Sequence, residues 1–240
     1  MNQNRYHRQT LVKSFGESGQ QLLKDAHAVI IGCGGLGSNS ANLLTRMGIG
    51  TLDLIDNDTI DLTNLHRTVI YTEADIGKLK SETLANRLRL INHDVAIYDH
   101  HITVTADNIS TLLNGATIVL DGTDNIDLRR HINTAALEQH IPWVYAGVYE
   151  TTGMVLGIIP GQTACFQCLA ATLPTTKPTA TIPVHGYLPS LTAALQVAET
   201  LRLLQQQPPS GLLIYDADHQ RCETLDIKRN PKCPSCARSK

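Results

Sequence analysis

Three groups of residues have types and spacings that bear on chemistry. The first is Gly32-Cys-Gly-Gly-Leu-Gly37, a Gly-x-Gly-x-x-Gly run, with Asp56 following 19 residues after its last glycine. Gly32, Gly34, Gly35 and Gly37 allow a tight turn and close approach of backbone to a phosphate. A helix beginning there would add unpaired N–H groups and a positive dipole end. Asp56 can accept hydrogen bonds from ribose hydroxyls. The competing reading is a tight strand-to-helix turn that needs glycine and binds nothing. The spacing points to a nucleotide and leaves two open, a nicotinamide dinucleotide and ATP. Cys33 reads as a small filler, because nothing basic follows it.

The second group is charged. Asp56-Asn-Asp58 is followed by Asn64-Leu-His-Arg67, by Lys80, and by Asp121-Gly-Thr-Asp124-Asn125. In a parallel sheet the ends of consecutive strands meet at one edge, where ligands bind. Arg67, Lys80 and Asp124 are therefore expected to converge on the phosphates. A hydride transfer leaves a pyrophosphate intact and needs few cations there. Two cations and a carboxylate able to hold Mg²⁺ suit substitution at phosphorus instead. The bland alternative makes Arg67 and Lys80 solvated surface charges and Asp124 a helix cap preceding Asn125.

The third group is sulfur. Cys165-Phe-Gln-Cys168 and Cys233-Pro-Ser-Cys236 stand 64 residues apart. A Cys-x-x-Cys segment can place both thiolates on adjacent vertices of one tetrahedron, and two such segments complete a closed zinc site. Four thiolates leave no open vertex, so this zinc is expected to be structural. The alternative is a redox pair beside an unrelated pair. Cys222 reads as a buried small residue in a C-terminal hairpin. His66 and His185 carry no definite role.

Alternating strands and helices must position these groups. Helical periodicity or β-branched runs predict a helix over 16–24, a strand over 28–31, a helix over 38–47 and a strand over 51–56. Further on they predict helices over 78–91, 108–113 and 125–140, alternating with strands over 95–102, 117–121 and 141–145. After residue 146 strands follow one another (153–159, then a hairpin of 211–216 and 222–228), interrupted by a loop over 172–187 and a helix over 188–204. The expectation is an α/β, Rossmann-like fold whose mostly parallel sheet is extended by antiparallel C-terminal strands. No linker splits the chain. It reads as one domain over 1–240, with a nucleotide-binding half over 1–145 and a half over 146–240 that holds the zinc cysteines.

Composition narrows the classes. Of 240 residues, 42% are hydrophobic and 18% charged, which is globular and excludes rods and disordered tails. A net charge of −2 and 4% aromatics argue against a nucleic-acid footprint and against a polybasic membrane surface. No apolar run is long enough to span a membrane and the first residues are polar, so a cytoplasmic location is expected.

Taken together, Gly32–Gly37, Asp56-Asn-Asp58, Asn64-Leu-His-Arg67, Lys80, Asp121-x-x-Asp124-Asn125, both cysteine pairs and the opening Arg5-Tyr-His-Arg8-Gln9 resemble the ThiF/MoeB/HesA family. These adenylyltransferases activate ubiquitin-like sulfur-carrier proteins. The resemblance runs from about Arg5 to Cys236. It implies that a carrier ending in Gly-Gly presents its carboxylate to ATP·Mg²⁺, giving an acyl-adenylate and pyrophosphate. It implies that Gly35 and its neighbours lie against the phosphates and that Asp56 holds the ribose. It further implies that Asn64 and Arg67 bind phosphates, that Lys80 stabilises developing charge, and that Asp124 holds Mg²⁺. Asp58 and Asn125 fall in the same nucleotide-binding set. Arg8 matches an arginine finger supplied by the other subunit of a homodimer, and Arg5 a second arginine of that motif.

One departure stands out. Some members carry a cysteine in the crossover loop for a covalent link to the carrier, whereas Thr179-Ala-Thr-Ile-Pro-Val-His-Gly186 has none. Adenylation without that link is expected, with sulfur coming from a separate donor protein. Thiamine thiazole and molybdopterin synthesis are equally favoured routes, and a peptide-modifying relative is a further one. Other readings are an NAD-dependent dehydrogenase and a non-catalytic, zinc-stabilised nucleotide-binding protein.

Overall fold

In a computed structural model of the protein, which describes residues 5–172 and 182–237, two helices lead into a single sheet. They are α1 (His7–Thr10) and α2 (Gly16–Asp25). The alternating half follows: β1 (His27–Ile31), α3 (Gly35–Met47), β2 (Thr51–Ile55), α4 (Lys80–Ile91), β3 (Ala96–His100), α5 (Ile109–Leu112), β4 (Ile118–Asp121) and α6 (Ile126–Glu138). Then come β5 (Trp143–Tyr149), β6 (Thr152–Ile158), α7 (Phe166–Ala170), α8 (Leu188–Leu204), β7 (Leu212–Asp216) and β8 (Arg221–Leu225).

The strand order is β3-β2-β1-β4-β5-β6-β7-β8. The first five strands pair in parallel and β5 through β8 pair antiparallel. This is the expected Rossmann-like sheet with an antiparallel extension. The chain reverses its direction of travel across the sheet between β1 and β4, which makes their carboxyl ends a crevice open to a ligand.

Helices cover both faces because the central strands are apolar on both sides. In β1, Ala28 and Ile30 join a core with Leu44 of α3, Leu84 of α4 and Val197 of α8. Val29 and Ile31 join a second core with Ile109 of α5, Ile132 of α6 and Phe166 of α7. Period-two alternation thus feeds two helical layers from one strand.

Two departures from the expected boundaries have a physical reason. α3 begins at Gly35 rather than Ser38, since the last glycines of the run are already helical. β5 runs to Tyr149, because all seven of its residues pair with β6, the last five of them with no partner on β4. The 145/146 division therefore falls inside one strand that serves both the parallel and the antiparallel parts of the sheet. Cys222 corrects an expectation: it is exposed, not buried. β8 is the edge strand and all five of its residues are exposed, so no described residue packs over that thiol. Part of the loop expected over 172–187, residues 173–181, lies outside the described residues. Its end does join the sheet, where Val184 bridges to Glu150. No helix among the described residues is long and apolar enough to cross a membrane.

Candidate nucleotide site and metal centre

The glycine run sits at the mouth of the crevice. The first intrahelical bond of α3 is from the Ser38 N–H to the Gly34 carbonyl (3.0 Å). The N–H groups of residues 34–37 consequently have no partner within the helix and lie at its positive end. The backbone packs so tightly here that only glycine fits. A Cβ on Gly32 would stand 2.6 Å from the Gly122 oxygen, and one on Gly122 would stand 2.3 Å from the Gly32 oxygen. The glycine loop after β1 and the loop after β4 are thereby pressed together, and the Gly122 N–H donates to the Ile31 carbonyl (2.7 Å). Asp124 lies two residues beyond that contact.

Asp56 bridges the loop ends. Its carboxylate accepts from the Cys33 N–H (2.6 Å) and the Asp58 N–H (2.7 Å). Burial pushes this carboxyl up from the usual range, and the two backbone donors oppose that. Each oxygen retains a lone pair for a ribose hydroxyl. Cys33 is buried, and burial raises its thiol, which suits the filler role.

The cations are held against this frame. Arg67 donates to the Thr63 carbonyl (2.6 Å), and a Cβ on Gly35 would meet its Cγ and Cδ at 3.2 Å, so its stem lies along the start of α3. Asn39 of α3 fixes this segment by donating to the Gly35 (2.6 Å) and Arg67 (3.4 Å) carbonyls. Lys80 is only 8% exposed, and its Nζ pairs with Asp58 (2.8 Å). Asp58 is thus a counter-ion holding Lys80 in this structure. Asn64 is buried, with its side-chain oxygen accepting from the Asp61 N–H (3.2 Å) in a local cap. Neither cation is a freely solvated surface charge.

The cap reading of Asp124 falls to its neighbour. Asn125 caps α6, accepting from the N–H groups of Asp127 (2.9 Å) and Leu128 (3.1 Å). Asp124 is left exposed, with no hydrogen bond or ion pair among the described residues. Arg8 is exposed on α1, while its neighbour Gln9 donates to the Met47 carbonyl (3.1 Å) at the far end of α3. A 13-residue helix spans about 20 Å. Arg8 is therefore remote from the glycine loop of its own chain. Arg5 donates to the Ile91 carbonyl (3.1 Å), and the Tyr6 hydroxyl accepts from Asn92 (2.7 Å). The N-terminal segment is anchored from residue 5 onward.

Arg129, Gln196 and Tyr71 support the site and escaped the sequence reading. Fully buried Asp121 pairs with Arg129 (2.7 Å) and accepts from the Thr123 N–H and hydroxyl (both 2.8 Å). Arg129 also donates to the Thr123 and Ala146 carbonyls and lies over the Tyr145 ring. Gln196 of α8 donates to the Asp121 and Val144 carbonyls (both 2.9 Å) and accepts from Ser40 (2.7 Å). The Tyr71 hydroxyl lies within hydrogen-bonding distance of the Cys33 (2.9 Å) and Lys80 (3.1 Å) carbonyls. A polar residue inside the apolar run Ala193–Ala198 was the one sequence signal, at Gln196.

The cysteine pairs meet. The Sγ atoms of Cys165, Cys168, Cys233 and Cys236 all lie within 4.8 Å of one another and all four residues are buried. Three of these separations are 3.9 Å (165 to 168), 3.7 Å (165 to 233) and 3.6 Å (168 to 236). Zinc–sulfur bonds of about 2.3 Å in a tetrahedron place sulfurs about 3.8 Å apart. The cluster fits zinc, and the separations are too long for disulfides. Burial raises the Cys165 thiol. Burial also works on Cys233, but the backbone N–H groups of Cys236 and Ser235 and the side chains of Cys165 and Cys236 together outweigh it and hold that thiol below its ordinary value. His66 bonds to the Thr63 carbonyl (2.9 Å), and His185 stacks on Tyr187.

The chain and its fold are similar to those of known proteins. The chain matches the ThiF family over residues 6–235. It is 36% identical over 241 residues to the sulfur carrier protein ThiS adenylyltransferase of Bacillus subtilis, covering 97% of this chain and 71% of that protein. It is 33% identical over 247 residues to a sulfur carrier protein adenylyltransferase of Thermus thermophilus, covering 97% and 90%. Identity to the molybdopterin-synthase adenylyltransferase of Salmonella typhimurium is 30% over 237 residues, covering 97% and 95%. Among solved structures, E. coli MccB with ATP is similar at a TM-score of 0.84 and 26% identity, covering 98% of this chain and 75% of that one.

Proposed function

The chain belongs to the ThiF family, and on that premise we propose how its residues hold ATP·Mg²⁺ for attack by a carrier protein's C-terminal carboxylate. The chain is an adenylyltransferase that uses ATP to activate a sulfur-carrier protein. The nicotinamide and non-catalytic readings are not favoured.

The incoming carboxylate of a Gly-Gly tail is already an anion, so no base is needed. One of its oxygens bonds to the α-phosphorus as the bond to the β-phosphate bridging oxygen breaks, and pyrophosphate leaves with the electron pair. Catalysis rests on alignment and on neutralising charge. The free N–H groups of residues 34–37 cradle the phosphates, and Asp56 takes the ribose. Arg67 and Asn64 bind phosphate oxygens. Lys80 exchanges Asp58 for the charge that grows on the phosphates. Asp124, exposed at the end of β4, holds the magnesium that arrives with ATP. Arg8 is remote from the glycine loop of its own chain, so it acts from a second copy in a homodimer. The carrier is ubiquitin-like, belongs to thiamine thiazole or molybdopterin synthesis, and receives sulfur from a separate donor protein. The zinc ties the C-terminus to the segment beginning α7 and takes no part in the chemistry.

The observation that carries this reading is the set of two ordered cations around one glycine loop: Arg67 along Gly35, and Lys80 joined to Cys33 through Tyr71. The test is ATP–pyrophosphate exchange with each candidate Gly-Gly carrier. Exchange is expected only when a carrier is present, and Lys80→Ala is expected to lower it ~10²–10³-fold. ATP binding with no exchange for any carrier would overturn the reading.

A further inference from the structure

Arg229 is not a metal ligand and lies in the irregular segment between β8 and Cys233, yet it spans both halves of the cysteine cluster. Its half-buried guanidinium donates to the Gly161 carbonyl (2.7 Å) and to the Cys236 carbonyl. Gly161 lies four residues before Cys165, in the turn that delivers the first cysteine pair. One side chain therefore clamps the C-terminal pair onto the N-terminal pair by bonds that do not involve a metal. The next residue reinforces the geometry. The Asn230 N–H points at the Cys168 sulfur (3.5 Å), its carbonyl accepts from the Cys233 N–H (3.0 Å), and its side chain accepts from the Lys232 N–H (2.8 Å).

The chemistry of the donor set gives the clamp a second task. Four thiolates around one divalent zinc leave an excess of negative charge in a buried place, where such charge is costly unless compensated. N–H···S bonds disperse part of it. A permanently charged guanidinium supplies the opposite sign.

We propose that Arg229 is a positioning and charge-compensating residue for the zinc site, setting how tightly the metal is held. This rests on reading the four cysteines as a zinc centre. Partners that orient ligands outside the coordination sphere typically account for 10–100-fold in metal affinity. Arg229→Gln keeps hydrogen-bonding capacity and loses the charge. Arg229→Lys keeps the charge and loses the two-pronged reach.

The experiment is competition for zinc between the full-length protein and a coloured chelator, with cobalt(II) substitution as a spectroscopic check. The wild type is expected to bind zinc, and Arg229→Gln to bind it 10–100-fold more weakly. Arg229→Lys is expected to lie between them. The cobalt forms of all three are expected to keep the absorption of a four-thiolate site, which separates weakened holding from loss of a ligand. Zinc affinity unchanged in Arg229→Gln would overturn the proposal while leaving the zinc centre intact. Equal losses in the Gln and Lys variants would overturn the charge argument. A wild type that binds no zinc would remove the centre itself.

Discussion

Gly37 sits so close to the carbonyl of Gly32 that a Cβ there would stand 1.8 Å from the oxygen. Backbone lies on both sides of this contact, so neither partner can move like a flexible side chain. Gly37→Ala is expected to lose about 1–3 kcal/mol of stability and to weaken ATP binding at least tenfold, because the helix end that offers the free N–H groups must shift. Thermal melting and ATP titration calorimetry check both. Unchanged ATP affinity would detach the loop from the phosphates.

The Asp121–Arg129 pair yields a pH-dependent prediction. Burial pushes the Asp121 carboxyl up, and the Arg129 charge is the main opposing influence. Arg129→Leu removes that opposition and leaves a buried, uncompensated carboxylate, a loss of about 3–5 kcal/mol at neutral pH. An acid whose folded pKa lies above its unfolded value of about 3.9 weakens the fold as pH rises between the two. The penalty of the variant should therefore shrink as pH is lowered toward 5. Urea titrations at pH 5 and pH 8 measure it, and an equal penalty at both would refute the assignment.

Arg8 and Asp124 supply a test of the second subunit. Arg8→Ala and Asp124→Ala are each expected to be inactive in pyrophosphate exchange. After subunit exchange in an equal mixture, one site in each mixed dimer regains both residues, so about a quarter of wild-type activity should return. A mixture no more active than its parents would rule out action across the dimer.

The cysteine cluster predicts one zinc per chain. Chelation at neutral pH should lower the melting temperature, and acid should release the metal as thiolates take up protons. Cys233→Ser should weaken zinc binding, whereas Cys222→Ser should not, since Cys222 lies exposed on β8. Metal analysis of the two variants distinguishes them.

Much of this was legible from neighbours along the chain. Gly32–Gly37 with Asp56, the two Cys-x-x-Cys pairs and the apolar periods of the helices are local patterns, and local patterns carry the physics of turns, caps and metal knuckles. The long helix came out at Leu188–Leu204, where it was expected. The end of β5 did not, because its second half is a strand only by virtue of pairing with β6.

What only the tertiary structure decided depends on which distant residues meet and on what covers them. Arg129 sits in a helix whose period says nothing of the buried carboxylate eight residues earlier. Tyr71, joining Cys33 to Lys80, and Arg229, joining Gly161 to Cys236, act between segments that have no fixed spacing. Cys222 is exposed because β8 is the edge strand of the sheet, with no described residue beyond it. Arg8 is remote from its own glycine loop because α3 lies between them. Residue types and spacings determined which chemistry was available; long-range packing, which sets burial and partners, determined which residues hold it in place.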